Sequence, residues 1–257
     1  MSQFNISPDE VAKLEDKFEI KSNERKLKNF LKKLTFVALV TMSIYHFYAS
    51  GFGTIRDILH RGIHISFVVG LVFLFYGWKN FGDKQFKNKV PLIDILFSIL
   101  VVVTALYLPL FPPEILASRV GNPSSTEVIM GSILIILTLE AARRSIGYTL
   151  PLICIIFMIF ALYGPIFPGA LKHGGSSWAG FVNHIYITNQ GIYGIAVGVM
   201  AQYVFLFILF GVLATRIGLG QLFIDLAMVI AGRYSGGPAK VAIFSSAFLG
   251  TISGSST

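Results

Sequence analysis

Charge is scarce in this sequence. Asp, Glu, Lys and Arg make up 13% of its 257 residues, where a soluble domain carries roughly 25%. Such a chain has too few ions to cover a water-facing surface. Cysteine is nearly absent. Cys154 stands alone inside an apolar run, which excludes a disulfide framework and a thiolate metal site. Catalytic constellations are missing too. The five histidines (His46, His60, His64, His173, His184) are read as sharing no metal-binding spacing such as His-x-x-x-His on one helix. Gly51-Phe52-Gly53 lacks the rest of either nucleotide fingerprint, so ATP hydrolysis is not expected. An enzyme, a bound cofactor and a nucleic-acid partner are therefore not expected.

What the chain has in abundance is apolar length. Hydrophobic residues reach 54% and the mean hydropathy is +0.71. Five long apolar runs and a sixth rich in glycine predict an all-α polytopic membrane protein, because each run approaches the ~20 residues that a helix needs to cross hydrocarbon. The expected spans are 34–49, 62–78, 90–110, 125–142, 148–163 and 191–213. Tyr76 and Trp78 are expected interfacial anchors, and Ser124 with Glu127 is an expected helix cap. The formal charge of +8 is accounted for by loops. With the N-terminus inside, 17 of the 21 Lys and Arg fall on the cytoplasmic side, leaving Arg56, Arg61, Arg119 and Lys172 outside.

Residues 1–33 predict an amphipathic cytoplasmic lead-in helix, opened by the capping box Ser7-Pro8-Asp9-Glu10. Residues 164–190 form an outer segment in which 176–182 read as a short interfacial helix. Asp94, one turn into its span, is expected to pair with Lys87 and Lys89 and snorkel toward the cytoplasm. Glu140, three and four residues before Arg143 and Arg144, is expected to pair on the helix surface. His46 and His64 are expected to be solvated or interfacial. Gly191, Gly194, Gly198 and Ala201 form a small-residue face suited to close helix packing. Gln202, mid-span, reads either as an interhelical hydrogen bond or as lining of a path. Residues 222–231 are too short to span and carry one polar stripe, which predicts a helix lying in the cytoplasmic interface.

The last stretch organises the rest. After the turn Gly232-Arg233-Tyr234-Ser235-Gly236-Gly237-Pro238 the chain runs apolar, then breaks into Gly250-Thr251-Ile252-Ser253-Gly254-Ser255-Ser256-Thr257. Hydroxyls and glycines cannot face lipid. Irregular backbone at membrane depth survives where it is buried in protein or lines a wet cavity. A helix broken by Gly and Ser is how secondary transporters build substrate and cation sites. A polar tail after a truncated helix is the plainer alternative.

These two motifs resemble the first re-entrant hairpin of the large permease subunit of tripartite ATP-independent periplasmic (TRAP) transporters. The upstream layout is similar to the small four-helix subunit fused to it, in the class with a TAXI-type receptor. The resemblance covers the N-terminal part of such a permease. It implies a lead-in helix over 1–33, a four-helix scaffold over 34–147 and the start of the transport subunit over 148–257. That last part would hold two spans, the interfacial arm helix and the first arm of the hairpin. It further implies a bacterial inner-membrane permease that takes up an organic acid from a periplasmic substrate-binding protein, with sodium as coupling ion. Gly250, Ser253, Gly254, Ser255 and Ser256 would line the cation and carboxylate site, with Ser253 and Ser256 as sodium ligands. The competing reading is a non-transporting membrane scaffold or assembly protein. A returning apolar arm and a second Gly/Ser-broken hairpin after Thr257 would separate the two.

Overall fold

A computed structural model describes residues 24–25, 27–53, 56–78 and 90–253. The capping box at 7–10 and most of the expected lead-in helix lie outside the described residues, as do Lys87 and Lys89. The helices in chain order are α1 (Asn29–Phe52), α2 (Asp57–Phe75), α3 (Leu92–Tyr107), α4 (Pro113–Arg119), α5 (Ser125–Ser145) and α6 (Thr149–Leu162). Then follow α7 (Trp178–Val182), α8 (Ile195–Arg216), α9 (Leu219–Ala231) and α10 (Gly237–Ser253). Among the described residues there is no β-strand, and one isolated bridge joins Glu24 to Tyr76. The fold is that of an all-helical polytopic membrane protein.

Four helices, α1, α2, α5 and α8, are 19–24 residues long and apolar enough to cross a bilayer. The other two expected spans are shorter, with 16 residues in α3 and 14 in α6. At 1.5 Å per residue they reach about 24 and 21 Å, short of the ~30 Å hydrocarbon core. Chemistry ends α3: beyond Tyr107 the chain tightens into turns at Leu110 and Phe111 and meets Pro109, Pro112 and Pro113. The outward side chains are those of a lipid-facing surface, with Phe36, Phe47, Ile156, Phe157, Phe207 and Phe210 all exposed.

The core sits where α2, α3 and α5 meet, around Phe73, Val101, Ala105, Leu108 and Leu134. Small residues let these helices approach. A Cβ on Gly62 would stand 2.8 Å from the Ala105 carbonyl, and one on Gly131 would stand 2.5 Å from Val182 Cγ1. The 182–193 segment caps this bundle at one end. Tyr186 donates to the Thr104 carbonyl at 2.7 Å and Tyr193 to the Ala105 carbonyl at 2.9 Å, so both phenols satisfy groups at the end of α3. Burial pushes the Tyr186 and Tyr193 hydroxyls well above the ordinary phenol range, and both remain donors.

Several boundaries differ from the sequence reading, two of them at glycines. The span expected from 191 begins at Ile195. Gly191 and Gly194 lie in the preceding turns, where Ile192 donates to the Ile185 carbonyl at 2.8 Å. A Cβ on Gly191 would fall 2.1 Å from that oxygen, so this glycine permits a backbone crossing and is no part of a helix face. The second boundary is at Gly250. The chain does not break there: α10 runs through it to Ser253. One glycine costs a helix about 1 kcal/mol, too little by itself to stop one.

Candidate functional site

The expected site lies at the end of α10. A tight turn over 232–236 reverses the chain, with Gly236 at φ +74°, a left-handed conformation that glycine adopts without strain. α10 then packs antiparallel to α9. Phe223 meets Phe248 with ring centroids 5.7 Å apart, and Gly220 lies beside Leu249. Gly211, Ala214 and Thr215 of α8 complete a small apolar recess with Leu219, Gly220, Phe223 and Leu249. The polar stripe expected on α9 is present, as Gln221 Nε2 donates to Asp225 Oδ1 at 2.9 Å. Of the expected site residues, Gly250 sits on an open face of α10, with nothing within 4 Å of a built Cβ. Ser253 is the last described residue of that helix. Gly254, Ser255 and Ser256 lie outside the described residues.

A second cluster occupies the end of the bundle where α2 ends and α3 begins. Asp94 does not snorkel. Its carboxylate is buried and is held by Arg144 Nη1 at 2.8 Å, with Arg25 on the other oxygen. Arg144 Nε also donates to Glu140 Oε1 at 2.7 Å, and Arg143 grips the same carboxylate at 2.7 Å. The Glu140 pairing is as expected, but it feeds a network of five charged groups. Aromatic faces close it: the Arg144 guanidinium lies 4.9 Å from the Phe73 ring centre, and that of Arg143 lies 4.9 Å from the Trp78 ring centre. Trp78 thus stacks on these arginines beyond the end of α2, a cation-binding role added to the expected anchoring one. Burial, and then the Glu24 carboxylate beside it, push the Tyr76 hydroxyl above its ordinary range.

The opposite end carries the arginines assigned to the other side of the membrane. Arg56 donates to the Phe111 and Pro109 carbonyls at 2.7 and 2.8 Å, tying α2 to the end of α3. Arg61 donates to the Tyr193 carbonyl at 2.7 Å. Gly198 of α8 lies under that guanidinium, 2.9 Å from Arg61 Nε if it carried a Cβ. The small-residue face therefore receives an arginine.

Here the histidine reading is overturned. His46 and His64 are neither solvated nor interfacial: His46, His60 and His64 expose 0, 2 and 7% of their surfaces. His46 Nε2 lies 2.9 Å from His64 Nδ1, and Tyr45 Oη lies 3.0 Å from His60 Nδ1. The cause is the start of α2. It begins at Asp57, ahead of the expected 62, so His60 and His64 share one helix four residues apart. That is the His-x-x-x-His spacing the sequence reading missed, and it was the available signal. Among the described residues no three His, Cys, Asp or Glu side chains are placed to hold a metal ion. A polar pocket of about 260 Å³ opens beside the cluster, lined by Ala49, Ser50, Gly53, His60, Gln202 and Tyr203. Gln202 lines this pocket from Met200–Val204, a π-helical turn within α8.

Residues 133–257, just under half of the chain, match the family model described as DctM: Tripartite ATP-independent periplasmic transporter, DctM component. The match begins inside α5 and takes in α6 through α10. No curated protein and no solved structure matches the chain.

Proposed function

We propose that this chain is the N-terminal part of the membrane permease of a TRAP transporter of the fused type. The observation that carries the reading is the DctM match, which runs through α8, α9 and α10 into the hydroxyl-rich stretch. α1, α2, α3 and α5 form the scaffold, and the helices from α6 onward begin the part that moves. Residues 34–147 and 148–257 divide accordingly, at the short connection between α5 and α6.

The reaction is sodium-coupled uptake of an organic acid handed over by a periplasmic substrate-binding protein of the TAXI type, across the bacterial inner membrane. Gly250, Ser253, Gly254, Ser255 and Ser256 form the first half of the cation and carboxylate site. Two physical facts support that placement. The last carbonyls of any helix lack intrahelical partners and its C-terminus carries partial negative charge, so an end of α10 near these residues would favour a cation. The Ser253 and Ser256 hydroxyls add hard oxygen donors of the kind that sodium takes.

The test is uptake into vesicles by the complete protein with its receptor, in the presence and absence of a sodium gradient. Uptake is expected to require both receptor and sodium. Ser253→Ala with Ser256→Ala is expected to lower it at least tenfold. Uptake untouched by both substitutions removes the site, and uptake indifferent to the receptor removes the transporter class. Complete absence of uptake by a folded, membrane-inserted protein favours the non-transporting scaffold.

A further inference from the structure

We propose that His46, His60 and His64, with Tyr45, form a proton-binding site with a capacity of one. The site would hold α1 and α2 to the π-helical turn of α8 more tightly when occupied. It goes beyond the transport reading and does not depend on it.

The argument begins with hydrogen-bond direction. His46 Nδ1 lies 2.8 Å from the Met42 carbonyl, which can only accept, so that nitrogen carries a proton. In the neutral ring His46 Nε2 is then an acceptor. His64 Nδ1, 2.9 Å away, must donate to it. On the other side Tyr45 donates its hydroxyl to His60 Nδ1 at 3.0 Å, and the Ala201 carbonyl faces the second nitrogen of that ring from the π-helical turn. The array is thereby satisfied with three neutral rings. With the Ala201 carbonyl facing His60, His64 Nε2 is the ring nitrogen for which the described residues supply neither a hydrogen bond nor a facing carbonyl.

One proton can therefore enter at His64 Nε2 without breaking any bond already made. A second is opposed. His46 lies with its ring centre 5.2 Å from that of His60 and 5.1 Å from that of His64, where like charges in a poorly solvated site repel strongly. Charges on the neighbouring elements point the same way. The Arg61 guanidinium follows His60 on α2, while the Asp57 carboxylate, one turn earlier, is 68% exposed and screened by water. From α8 the facing groups are the neutral Gln202 and Tyr203, the Ala201 carbonyl and the Phe205 ring.

Phe205 converts charge into packing. Its ring centre is 4.5 Å from that of His46 and 6.2 Å from that of His64. Once His64 Nε2 is protonated, its Nδ1 proton is shared along the 2.9 Å bond to His46 Nε2, so positive charge reaches the ring in contact with Phe205 and gains a cation–π attraction that a neutral imidazole lacks. The residue lies directly after the π-helical turn, an irregularity that often marks functional segments. The location adds weight. The histidines stand before residue 133 and Phe205 stands after it, so the proton would bind at the seam between the unmatched and the matched parts of the chain.

Histidine-labelled full chain in nanodiscs, followed by ring-nitrogen NMR from pH 8 to pH 4, tests this. The cluster is expected to take up a single proton, at His64, with His46 keeping its Nδ1 proton at high pH. His64→Gln should abolish the uptake while His173 and His184 titrate as before. Phe205→Leu, which leaves every nitrogen partner in place, should lower the His64 midpoint by about half a pH unit, a roughly threefold loss of proton affinity. His64 neutral down to pH 4, two cluster rings charging together, or an unchanged midpoint in Phe205→Leu overturns the proposal. Should His64→Gln fail to fold, the unaltered chain and Phe205→Leu still decide it.

Discussion

Arg144 Nη1 lies 2.8 Å from Asp94 Oδ1, and neither side chain exposes more than 2% of its surface. The two residues are fifty positions apart, one in the last turn of α5 and the other in the first turn of α3. Their bond fixes where those two helix ends meet. Removing one partner of such a pair leaves a buried charge without an answer. Asp94→Asn would take this carboxylate from Arg25 and leave Arg144 with Glu140 alone, so a loss of about 3 kcal/mol is expected. Thermal melting of the protein in detergent micelles measures it. Arg144→Lys should recover part of the stability, since it keeps the charge and loses the fork that reaches both Asp94 and Glu140.

Gly131 is the point where α5 touches the segment that caps the bundle. A Cβ there meets Val182 at 2.5 Å and Tyr186 at 2.9 Å. Gly131→Val is expected to cost roughly 1–3 kcal/mol through overpacking. It should also expose Tyr186 to solvent, visible as increased quenching of tyrosine fluorescence by acrylamide. Gly121→Val, with no neighbour within 4 Å of its Cβ, is the control for sterics, although its φ of +84° carries strain of its own.

The cap of α5 is made reciprocally. The Glu127 amide donates to Ser124 Oγ at 3.3 Å, and the Ser124 amide donates to Glu127 Oε2 at 2.7 Å. Ser124→Ala is expected to lower stability by about 1 kcal/mol. Glu127→Gln can keep the capping bond but forfeits the charge that faces Arg119 at 3.6 Å, so its cost should shrink as salt is raised. A series of melts in increasing sodium chloride separates the two contributions.

Arg61 holds the turn ahead of α8 through the Tyr193 carbonyl. Arg61→Met would leave that acceptor without its donor, at a cost of about 1–3 kcal/mol. Amide hydrogen exchange over residues 189–194 should rise at least tenfold, while exchange in α5 stays as it was. Equal protection in both would show that the turn does not depend on this bond.

The parts legible in the sequence share a physical character: they are local or they are bulk. Low charge and long apolar runs demand a lipid-embedded helical protein wherever the helices go. The cap at Ser124 and Glu127 and the pairing of Glu140 with Arg143 and Arg144 involve residues three or four apart, which a helix brings together by its own pitch.

Tertiary structure decided the rest. Asp94 found its partners 50 and 69 residues away, while sequence proximity pointed to lysines a few positions off. The start of α8 was set by the chain crossing at Gly191 and Ile185, a contact that no periodicity reports. His60 joined His46 and His64 because α2 begins five residues ahead of its apolar run, and Tyr45 of α1 and Phe205 of α8 pack against the cluster so formed. Composition and helical pitch act within a few residues, so one chain of letters carries them whole. Which buried charge or ring answers another depends on helices meeting in space, and only the packed molecule settles that.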